Sequence, residues 1–478
     1  MTSACGASAS LPRWTARWKW AAAAILLLDL VKHAALFAVG QAQPWGDSTL
    51  YWRMGGEVAA GDWWLANDPV AFRTPGYPWY LGLCREAFGT HGLIAAVAGQ
   101  HLCIVLTSVA TAALAWSISR SRGWTLLAWG MCAGSTARPL YANWLLTESL
   151  ATLLLTLALL LISLACQCGC WKRLALAGFV LGMGVLVRPS VIAAFPALVF
   201  AGLWLSQSTV GSPWRRATLL AAGPLVLGGV LLPWCLRNQL LFDRMTLCAF
   251  TGRELWTAHF SPWPGGGLAL PRSGAAGEVY ERVGTRALDW RHQWSVSGAL
   301  TDSGLNDAQT DALMERVAWQ AIAAQPGRAA FRTLARCITF WYCWEWEVET
   351  TQDPLPERAN GFYANQFRWS CPTLQPRVLS LLRRTPERWY VTSVAMSVAA
   401  WLGVLLLWTR RETRPFGVGL ALILSTSTGL TAALEIPLYR YRCVLEPLMI
   451  TAAVCGGGLY LQSLSAFRKY HGAGRGNH

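Results

Sequence analysis

The residues best suited to chemistry are two carboxylates and an arginine in the first part of the chain. Asp47 lies in the stretch WGDSTLYW, Arg73 in FRTPGYPWY and Glu148 in NWLLTESL. A carboxylate can take a proton from an attacking hydroxyl, and a guanidinium can bind a phosphate through paired hydrogen bonds. The residue types therefore make Asp47 a candidate base and Arg73 a candidate phosphate contact.

Both carboxylates also have a plain structural explanation. Asp and Ser commonly precede helices, so Asp47 could cap a helix over 49–60. Glu148 could stabilise the N-terminal dipole of the apolar helix that follows it. An ionisable residue at the mouth of a membrane helix is nevertheless a candidate functional residue, so both are retained as catalytic candidates.

The stretch FRTPGYPWY combines rigid backbone with an arginine and large aromatic rings. Pro75 and Pro78 restrict the backbone, and Gly76 can supply a turn geometry closed to other residues. The aromatic rings favour the membrane interface, where the stretch could hold Arg73 at the height of a lipid phosphate, with Tyr77 as a further substrate contact. The alternative is a rigid entry into the next span with Arg73 on an ordinary lipid headgroup.

The composition predicts an all-α polytopic membrane protein. The chain has 478 residues, of which 54% are hydrophobic and 14% charged, with a mean hydropathy of +0.33. The formal charge of +15 could suggest nucleic-acid binding. The basic residues instead fall in short segments between apolar runs, so we expect membrane lipids and no nucleic acid as partners.

Ten apolar runs are candidate spans, and basic residues follow or precede them on one side only. By the positive-inside rule that side is cytoplasmic, which places both termini inside and the polar loops outside. The first run contains Asp29, Lys32 and His33, and we interpret it as a retained helix whose charges pair within the bundle. The spans are 20–39, 93–116, 124–141, 144–165, 174–187, 190–206, 217–235, 390–408, 416–434 and 444–463.

This topology predicts three regions. Residues 1–235 form a transmembrane module with a catalytic first external loop at 40–92. Residues 236–389 form an extracytoplasmic domain, and residues 390–478 form the last membrane helices and a basic cytoplasmic tail. The expected location is a bacterial plasma membrane, with the site facing the outside.

Arginines in the short outer segments run against the positive-inside rule. Each could pair with a lipid headgroup or with a carboxylate such as Glu148, Glu435 or Glu446. As a set they favour convergence on an anionic ligand, most simply a phosphate. The outer arginines are Arg138, Arg188, Arg440 and Arg442, with Arg237 as a further phosphate candidate and Asn238 and Tyr441 as candidates for sugar hydroxyls.

The sequence gives no clear cofactor site. The histidines are scattered, and no His, Cys and Asp cluster has ligand spacing. Asp47 and Glu148 could share a divalent cation if the fold brings them together. The chain has neither a Walker motif nor a glycine-rich nucleotide fingerprint, which disfavours an ATP-driven pump or a nucleotide-sugar enzyme.

Several segments, in order along the chain, resemble membrane glycosyltransferases of the GT-C superfamily. The likeness is strongest to the branch that contains the protein O-mannosyltransferases and the bacterial lipid A aminoarabinose transferase. In this respect the chain resembles glycosyltransferase family 39. The segments that carry the likeness are GDSTLYWRMGGEVAAGDWW, FRTPGYPWYLGL, LLTES, LVRPS, LPWCLRNQLLFDRM, QPGRAAFRTLARCITFW and YRYRCVLEP. One departure is Ser48, where many relatives carry a second acidic residue.

The resemblance implies a fold and a reaction. The fold is a bundle of about ten or more transmembrane helices with interfacial helices in the first external loop. The reaction transfers a sugar from a polyprenyl-phosphate donor to a lipid, glycan or protein acceptor on the outer side. The resemblance thus implies the roles of base for Asp47 and of phosphate contact for Arg73. The alternative is a transporter or flippase of a lipid-linked glycan, which should show two related halves with interrupted helices. The sequence shows no such internal symmetry.

Overall fold

A computed structural model describes most of the chain. The described residues are 15–42, 44, 47–135, 142–208, 212–262, 265–284, 292–342, 367–369, 394–437 and 439–473. Arg138, predicted as one of the outer arginines, lies outside them.

The described part is built almost entirely of helices. The first nine are α1 (Ala16–Val39), α2 (Asp47–Ala59), α3 (Gly76–Phe88), α4 (Gly92–Ser119), α5 (Arg122–Gly134), α6 (Glu148–Cys168), α7 (Trp171–Val187), α8 (Phe195–Ser208) and α9 (Pro213–Phe242). The others are α10 (Thr251–Phe260), α11 (Ala275–Val283), α12 (Gln293–Asp302), α13 (Asp307–Ala324), α14 (Pro326–Tyr342), α15 (Val394–Thr409), α16 (Arg414–Leu434), α17 (Tyr439–Cys443) and α18 (Glu446–Ala473). Short 3₁₀ helices cover Gly89–His91 and Pro189–Ala194, and strands β1 (Gly40–Ala42) and β2 (Phe367–Trp369) pair antiparallel.

The prediction of an all-α polytopic membrane protein is confirmed. Within the described residues, seven stretches are long and apolar enough to cross a membrane. They are Ala16–Ala38, Gly76–Ser119, Glu148–Cys168, Pro189–Ser208, Pro213–Phe242, Arg414–Leu434 and Glu446–Ser465. The three other predicted runs fall on the shorter helices α5, α7 and α15. The run expected over 124–141 is shorter because α5 ends at Gly134 and Ser135 is already extended.

Helix α6 illustrates how the sequence sets a span. Its 21 residues are almost all apolar, with Glu148 in the first turn, where the helix dipole favours a negative charge. Gly169 ends it in the left-handed conformation, with φ of 62°. Glycine takes this conformation without steric cost, so the chain can turn directly into α7.

Helix α1 is held to the bundle by polar contacts. The Lys32 ammonium lies 2.9 Å from the Asp29 carboxylate one turn earlier in the same helix. Ser108 of α4 donates to Asp29 at 2.7 Å, and the Nδ1 atoms of His33 and His101 are 2.8 Å apart. The predicted pairing of these charges within the bundle is confirmed, as their cost inside a membrane requires.

A second hydrophobic core lies in the segment after α9. Trp256 of α10, Val279 of α11, Leu300 of α12 and Met314 of α13 are fully buried in it. The expected extracytoplasmic domain at 236–389 remains a prediction, because residues 343–366 and 370–393 lie outside the described part.

Candidate active site

Asp47 and Arg73 form an ion pair at the start of α2. Arg73 Nη2 donates to Asp47 Oδ1 at 2.8 Å, and Arg440 Nη1 lies 3.9 Å from Oδ2. The Asp47 side chain is 37% exposed and the Arg73 side chain 13%. The carboxylate therefore has access to solvent while the guanidinium is held behind it.

Aromatic rings surround the Arg73 guanidinium. Its central carbon lies 5.3 Å from the ring of Tyr51, 5.4 Å from Phe72 and 5.2 Å from Phe250. These faces favour a cation. Arg73 Nε is buried without a hydrogen-bond partner among the described residues, which leaves one donor unused.

The loop that carries Arg73 is fastened to the extramembrane helices. The backbone NH of Ala71 donates to Asp307 at 3.2 Å, and the Ala71 carbonyl accepts from the NH of Ala249 at 2.8 Å. Arg253 pairs with Asp307 at 3.2 Å and lies over the Phe72 ring at 5.0 Å. Fixed residues on both sides thus set the position of Arg73.

Gly76 brings the Arg73 loop against a second arginine segment. A Cβ at Gly76 would lie 2.7 Å from the Leu186 carbonyl carbon and 2.8 Å from the Val187 nitrogen. Glycine is therefore needed for close backbone approach, and the turn geometry expected for it is wrong because Gly76 is the first residue of α3. The contact places α3 directly beside the residue that follows Val187, which is Arg188.

Arg188 pairs with Glu148. Its Nη1 lies 2.8 Å from Glu148 Oε1 and donates to Thr147 Oγ1 at 2.9 Å. Glu148 is only 3% exposed at its side chain, and its Oε2 has no hydrogen-bond partner among the described residues. Glu148 is thus placed to orient Arg188, while its second oxygen keeps an unused acceptor.

Tyr441 lies between two guanidinium groups. Arg188 and Arg440 are each 5.2 Å from its ring, and Arg440 Nη2 donates to its hydroxyl at 3.2 Å. A continuous chain of contacts therefore joins Arg73, Asp47, Arg440, Tyr441, Arg188 and Glu148. We call Arg73, Arg188 and Arg440 the arginine cluster.

Arg237 and Asn238 lie outside this chain of contacts. Arg237 donates to the carbonyls of Trp64 at 2.9 Å, Val70 at 3.3 Å and Leu65. Asn238 donates to the Thr246 carbonyl at 2.8 Å. Their polar groups hold the backbone of the first loop and of the segment after α9.

Tyr77 and Arg442 are likewise used inside the fold. Tyr77 is fully buried and donates to Gln100 at 2.8 Å. Arg442 is 2% exposed and donates to the Trp341 carbonyl at 2.8 Å and to Ser397 at 3.0 Å. Neither joins the arginine cluster.

Two further carboxyl groups face the cluster, and sequence reasoning gave neither a role in the site. Glu254 lies in the first turn of α10, and Glu435 follows the last residue of α16. Burial raises the pKa of Glu254 well above its usual range, and the charge of Glu435 raises it further. Burial also raises the pKa of Glu435, whereas the hydrogen bond from the Tyr441 hydroxyl lowers it.

The sequence carried little signal for these two groups. Glu254 lies in a short amphipathic helix, where nothing distinguishes it from an exposed acid such as Glu278. Glu435 was considered only as a possible partner of the outer arginines. Its proximity to Glu254 depends on contacts between distant segments.

The residues present do not fit a divalent cation. Both oxygens of Asp47 face guanidinium groups, and Glu148 is paired with Arg188. A dication between these carboxylates would lie against the positive charges of the arginine cluster. Among the described residues, no group of three or more His, Cys, Asp or Glu side chains could hold a metal ion.

Comparison with known proteins gives similarity only at the level of solved structures. No family model matches the chain, and no curated protein matches it. The oligosaccharyltransferase of Archaeoglobus fulgidus, in its apo form, is similar at 12% identity and a TM-score of 0.47 over 95% of this chain and 52% of that one. This chain therefore spans about half the length of that protein.

Two other solved structures are similar at comparable levels. ArnT from Cupriavidus metallidurans, bound to undecaprenyl phosphate, matches at 14% identity and a TM-score of 0.36 over 92% of this chain and 77% of that one. The arabinosyltransferase EmbB from Mycobacterium smegmatis matches at 15% identity and a TM-score of 0.35 over 93% and 42%. The TM-scores of these three structures are too low to decide the activity of this chain.

Proposed function

We propose that this protein is a membrane glycosyltransferase that moves a sugar from a polyprenyl-phosphate donor to an acceptor hydroxyl. One observation carries the proposal. Three arginines and an accessible carboxylate, drawn from three distant segments, meet in one chain of contacts at one end of the helix bundle. Glycosyl transfer from a lipid phosphate needs this combination of a base and phosphate-binding cations.

Asp47 is the base in this proposal. It is the most exposed side chain of the Asp47–Arg73–Arg440 group, at 37% against 13% and 28%. An acceptor hydroxyl can therefore reach its carboxylate. Arg73, which donates to Oδ1, holds the carboxylate in one orientation.

The arginine cluster binds the donor phosphate. The buried Nε atoms of Arg73 and Arg440 have no hydrogen-bond partner among the described residues. Buried donors without partners are uncommon and costly, and phosphate oxygens would satisfy them with charge-assisted hydrogen bonds. As the bond to the anomeric carbon breaks, the same donors stabilise the charge that develops on the phosphate.

Apolar side chains lie directly beside the cluster. Leu155, Val191, Ile423 and Val444 line a small cavity beside Tyr441, together with the hydroxyl-bearing residues Ser190, Ser427 and Thr431. A phosphate held at the cluster would therefore have its prenyl chain against apolar side chains of the membrane helices. This arrangement supports a lipid-linked donor over a free nucleotide sugar.

The side of the membrane is inferred from charge. Basic segments fall opposite the end that carries Asp47, so the positive-inside rule favours a site that faces outward from a bacterial plasma membrane. The acceptor is then a protein, a lipid or a glycan of the cell envelope.

The experiment uses purified protein in nanodiscs with a panel of radiolabelled polyprenyl-phosphate sugars and a crude envelope extract. We expect wild type to move label to an acceptor, and Asp47→Asn to bind donor without moving label. The labelled product identifies the acceptor class.

Two outcomes would contradict the proposal. Full transfer by Asp47→Asn would remove Asp47 as the base. Donor binding by wild type without transfer under any condition would favour the transporter or flippase, which needs the arginines but not the base.

A further inference from the structure

Helix α14 turns its charged side toward the protein and its apolar side outward. Arg332 and Arg336 are fully buried and donate to backbone carbonyls of α10 and α16. Phe331, Leu334 and Ile338, on the other side of the helix, are 60%, 61% and 57% exposed. We call these three residues the apolar stripe. A helix at the surface of a protein in water has the reverse arrangement, with its charged side outward.

The contact of Arg336 fixes the height of α14 along a neighbouring span. Arg336 donates to the Ala432 carbonyl of α16 at 2.6 Å. Helix α16 begins at Arg414, on the side of the bundle that carries the basic segments. With a rise of about 1.5 Å per residue, Ala432 lies about 27 Å along the helix from Arg414. Arg336 is therefore level with the far end of this span.

A second contact places the end of α14 nearer to the basic side. Ser397 of α15 donates to the Trp341 carbonyl at 2.8 Å, and the rings of Trp341 and Trp401 are 5.4 Å apart. Ser397 lies about 20 Å along α15 from Arg410, the basic residue that follows this helix. The two heights differ by about 7 Å, and the helix from Arg336 to Trp341 is about 7.5 Å long. The end of α14 therefore runs parallel to the spans and into the bundle.

These heights can be compared with the thickness of a bilayer. The hydrocarbon core is about 30 Å thick, and Arg410 and Arg414 lie at the edge that carries the basic residues. Counted from that edge, Leu334 lies at the opposite edge of the core, and Ile338 lies about 6 Å inside it. Phe331 lies just outside the core, at the height of the lipid headgroups.

The exposed side of α15 begins beside the same contact. Val398 and Leu402 are exposed, and each directly follows a residue that contacts Trp341. Helix α15 is one of the predicted spans, so its exposed apolar side chains contact lipid. The apolar stripe thus lies next to a surface that the membrane already covers.

We propose that the C-terminal half of α14 is inserted in the membrane and that the apolar stripe contacts lipid acyl chains. The leaflet is the outer one, on the side of the arginine cluster. The buried arginines do not oppose insertion, because their charges face protein carbonyls rather than lipid. The inference does not depend on the proposed sugar transfer, and the absence of transfer by wild type would leave it standing.

Insertion of α14 has a consequence for the candidate active site. Arg442 donates to the Trp341 carbonyl at 2.8 Å, and Arg440 lies two residues earlier in α17. The arginine cluster is then at the height of the lipid headgroups. The end of α14 also leaves the extracytoplasmic domain expected at 236–389 and belongs to the membrane part.

The test measures the surroundings of the stripe one residue at a time. Phe331→Cys, Leu334→Cys and Ile338→Cys, each in lipid nanodiscs, are treated with a charged, water-soluble maleimide. Mass spectrometry of the modified position separates the new cysteine from the native ones. Glu281→Cys, at an exposed position of α11, is the control and should react fully. We expect protection to increase from Phe331→Cys through Leu334→Cys to Ile338→Cys.

A photoactivatable phospholipid distinguishes lipid from protein as the cover of the stripe. A diazirine in the middle of its acyl chain should label wild-type α14 at Leu334 and Ile338 and should not label Glu281. Protection without lipid labelling would mean that another protein segment covers the stripe, which would overturn the inference. Reaction of Ile338→Cys as fast as that of Glu281→Cys would also overturn it, because the stripe would then face water.

A charged substitution tests the same contact through stability. Ile338→Asp should lower the unfolding temperature in nanodiscs, because a carboxylate is costly in hydrocarbon. Ile338→Leu is the control and should unfold at the wild-type temperature. An unchanged unfolding temperature of Ile338→Asp is the result expected of a water-facing position, and it would contradict insertion.

Discussion

Two sets of arginines in this protein differ in both burial and partners. Arg73, Arg188 and Arg440 contact carboxylates and aromatic rings near the solvent-accessible Asp47 carboxylate. Arg237 and Arg336 instead donate to backbone carbonyls inside the fold. The first set keeps charge available for a ligand, whereas the second uses its donors to close loops and helix ends. The most deeply buried arginines are therefore the ones whose donors are used inside the fold.

The contrast is sharpest at the ends of α10 and α16. Arg332 donates to the carbonyls of Ala258 and Ser261, each at 2.9 Å, and Arg336 joins Ala258 to Ala432. Carbonyls at helix C-termini lack partners within their own helix and carry partial negative charge. Two arginines here stabilise helix ends, whereas the arginine cluster is the set that we propose to bind anions.

The largest expected effect on sugar transfer comes from replacing the Asp47 carboxylate. Asp47→Asn should reduce sugar transfer by about 10² to 10⁴-fold, because an amide cannot accept the proton of the acceptor. The measurement is label transfer in nanodiscs. Asp68→Asn is the control, since Asp68 forms an exposed pair with Arg53 at 3.1 Å and should have no effect on transfer.

Next in size is the loss of an arginine from the interior set. Arg237→Ala leaves the carbonyls of Trp64, Leu65 and Val70 without their donor, so the free energy of unfolding should fall by about 3 kcal/mol. Thermal unfolding followed by tryptophan fluorescence measures this loss. Arg53→Ala removes only an exposed pair and should cost less than about 1 kcal/mol. Equal stability of the two variants would break the comparison.

A cluster arginine should show the opposite behaviour. Arg73→Ala should weaken donor binding by about 10- to 100-fold, the range for a charged hydrogen bond of about 1.5–3 kcal/mol. Arg442→Ala should lower the unfolding temperature with little change in donor affinity. Binding of labelled donor and thermal unfolding are measured on both variants. Loss of donor affinity in Arg442→Ala alone would reverse the assignment of the two sets.

The backbone contact behind the cluster gives a smaller effect. Gly76→Ala puts a methyl group against the Leu186 carbonyl, and backbone cannot move aside as a side chain can. We expect a loss of about 1–3 kcal/mol in stability together with reduced transfer. Gly298→Ala, in α12 with open space around it, should be neutral or stabilising. Similar results for both glycines would disprove the tight contact.

The last prediction concerns His259, beside the interior arginines, and appears only at acidic pH. Burial, together with the charges of Arg336 and Arg332, lowers the pKa of His259 to about 4. The unfolded chain takes up a proton near the ordinary pKa of 6.5, so stability should fall as the pH drops from 6.5 to 4. The slope is at most about 1.4 kcal/mol per pH unit. His259→Gln should flatten this part of a stability profile measured by thermal unfolding.

The sequence allowed the spans and part of the site to be predicted. Apolar length determines where a helix can cross a membrane, and this property is local. Arg73 and Arg188 stand out because they are charges beside Pro and Gly at a membrane boundary. The ion pair of Asp47 with Arg73, 26 residues away, lies within the loop that the sequence identified.

What the sequence could not give is the partner of each polar group. Arg237 and Arg442 sit at span ends as Arg188 does, and only the folded chain shows that carbonyls occupy their donors. Glu435 acts electrostatically on Glu254 because α10 packs against α16. Such contacts depend on tertiary packing, which no local pattern encodes.

The ion pair in α1 has a consequence for biogenesis. A first helix enters the bilayer before α4 and α5 have been synthesised, so a charge that relied on them would be unpaired during insertion. Asp29 and Lys32, one turn apart at 2.9 Å, neutralise each other within their own helix. The apolar part of α1 that follows Lys19 can therefore integrate as an electrically neutral segment, and Ser108 of α4 joins the pair only when the later helices arrive.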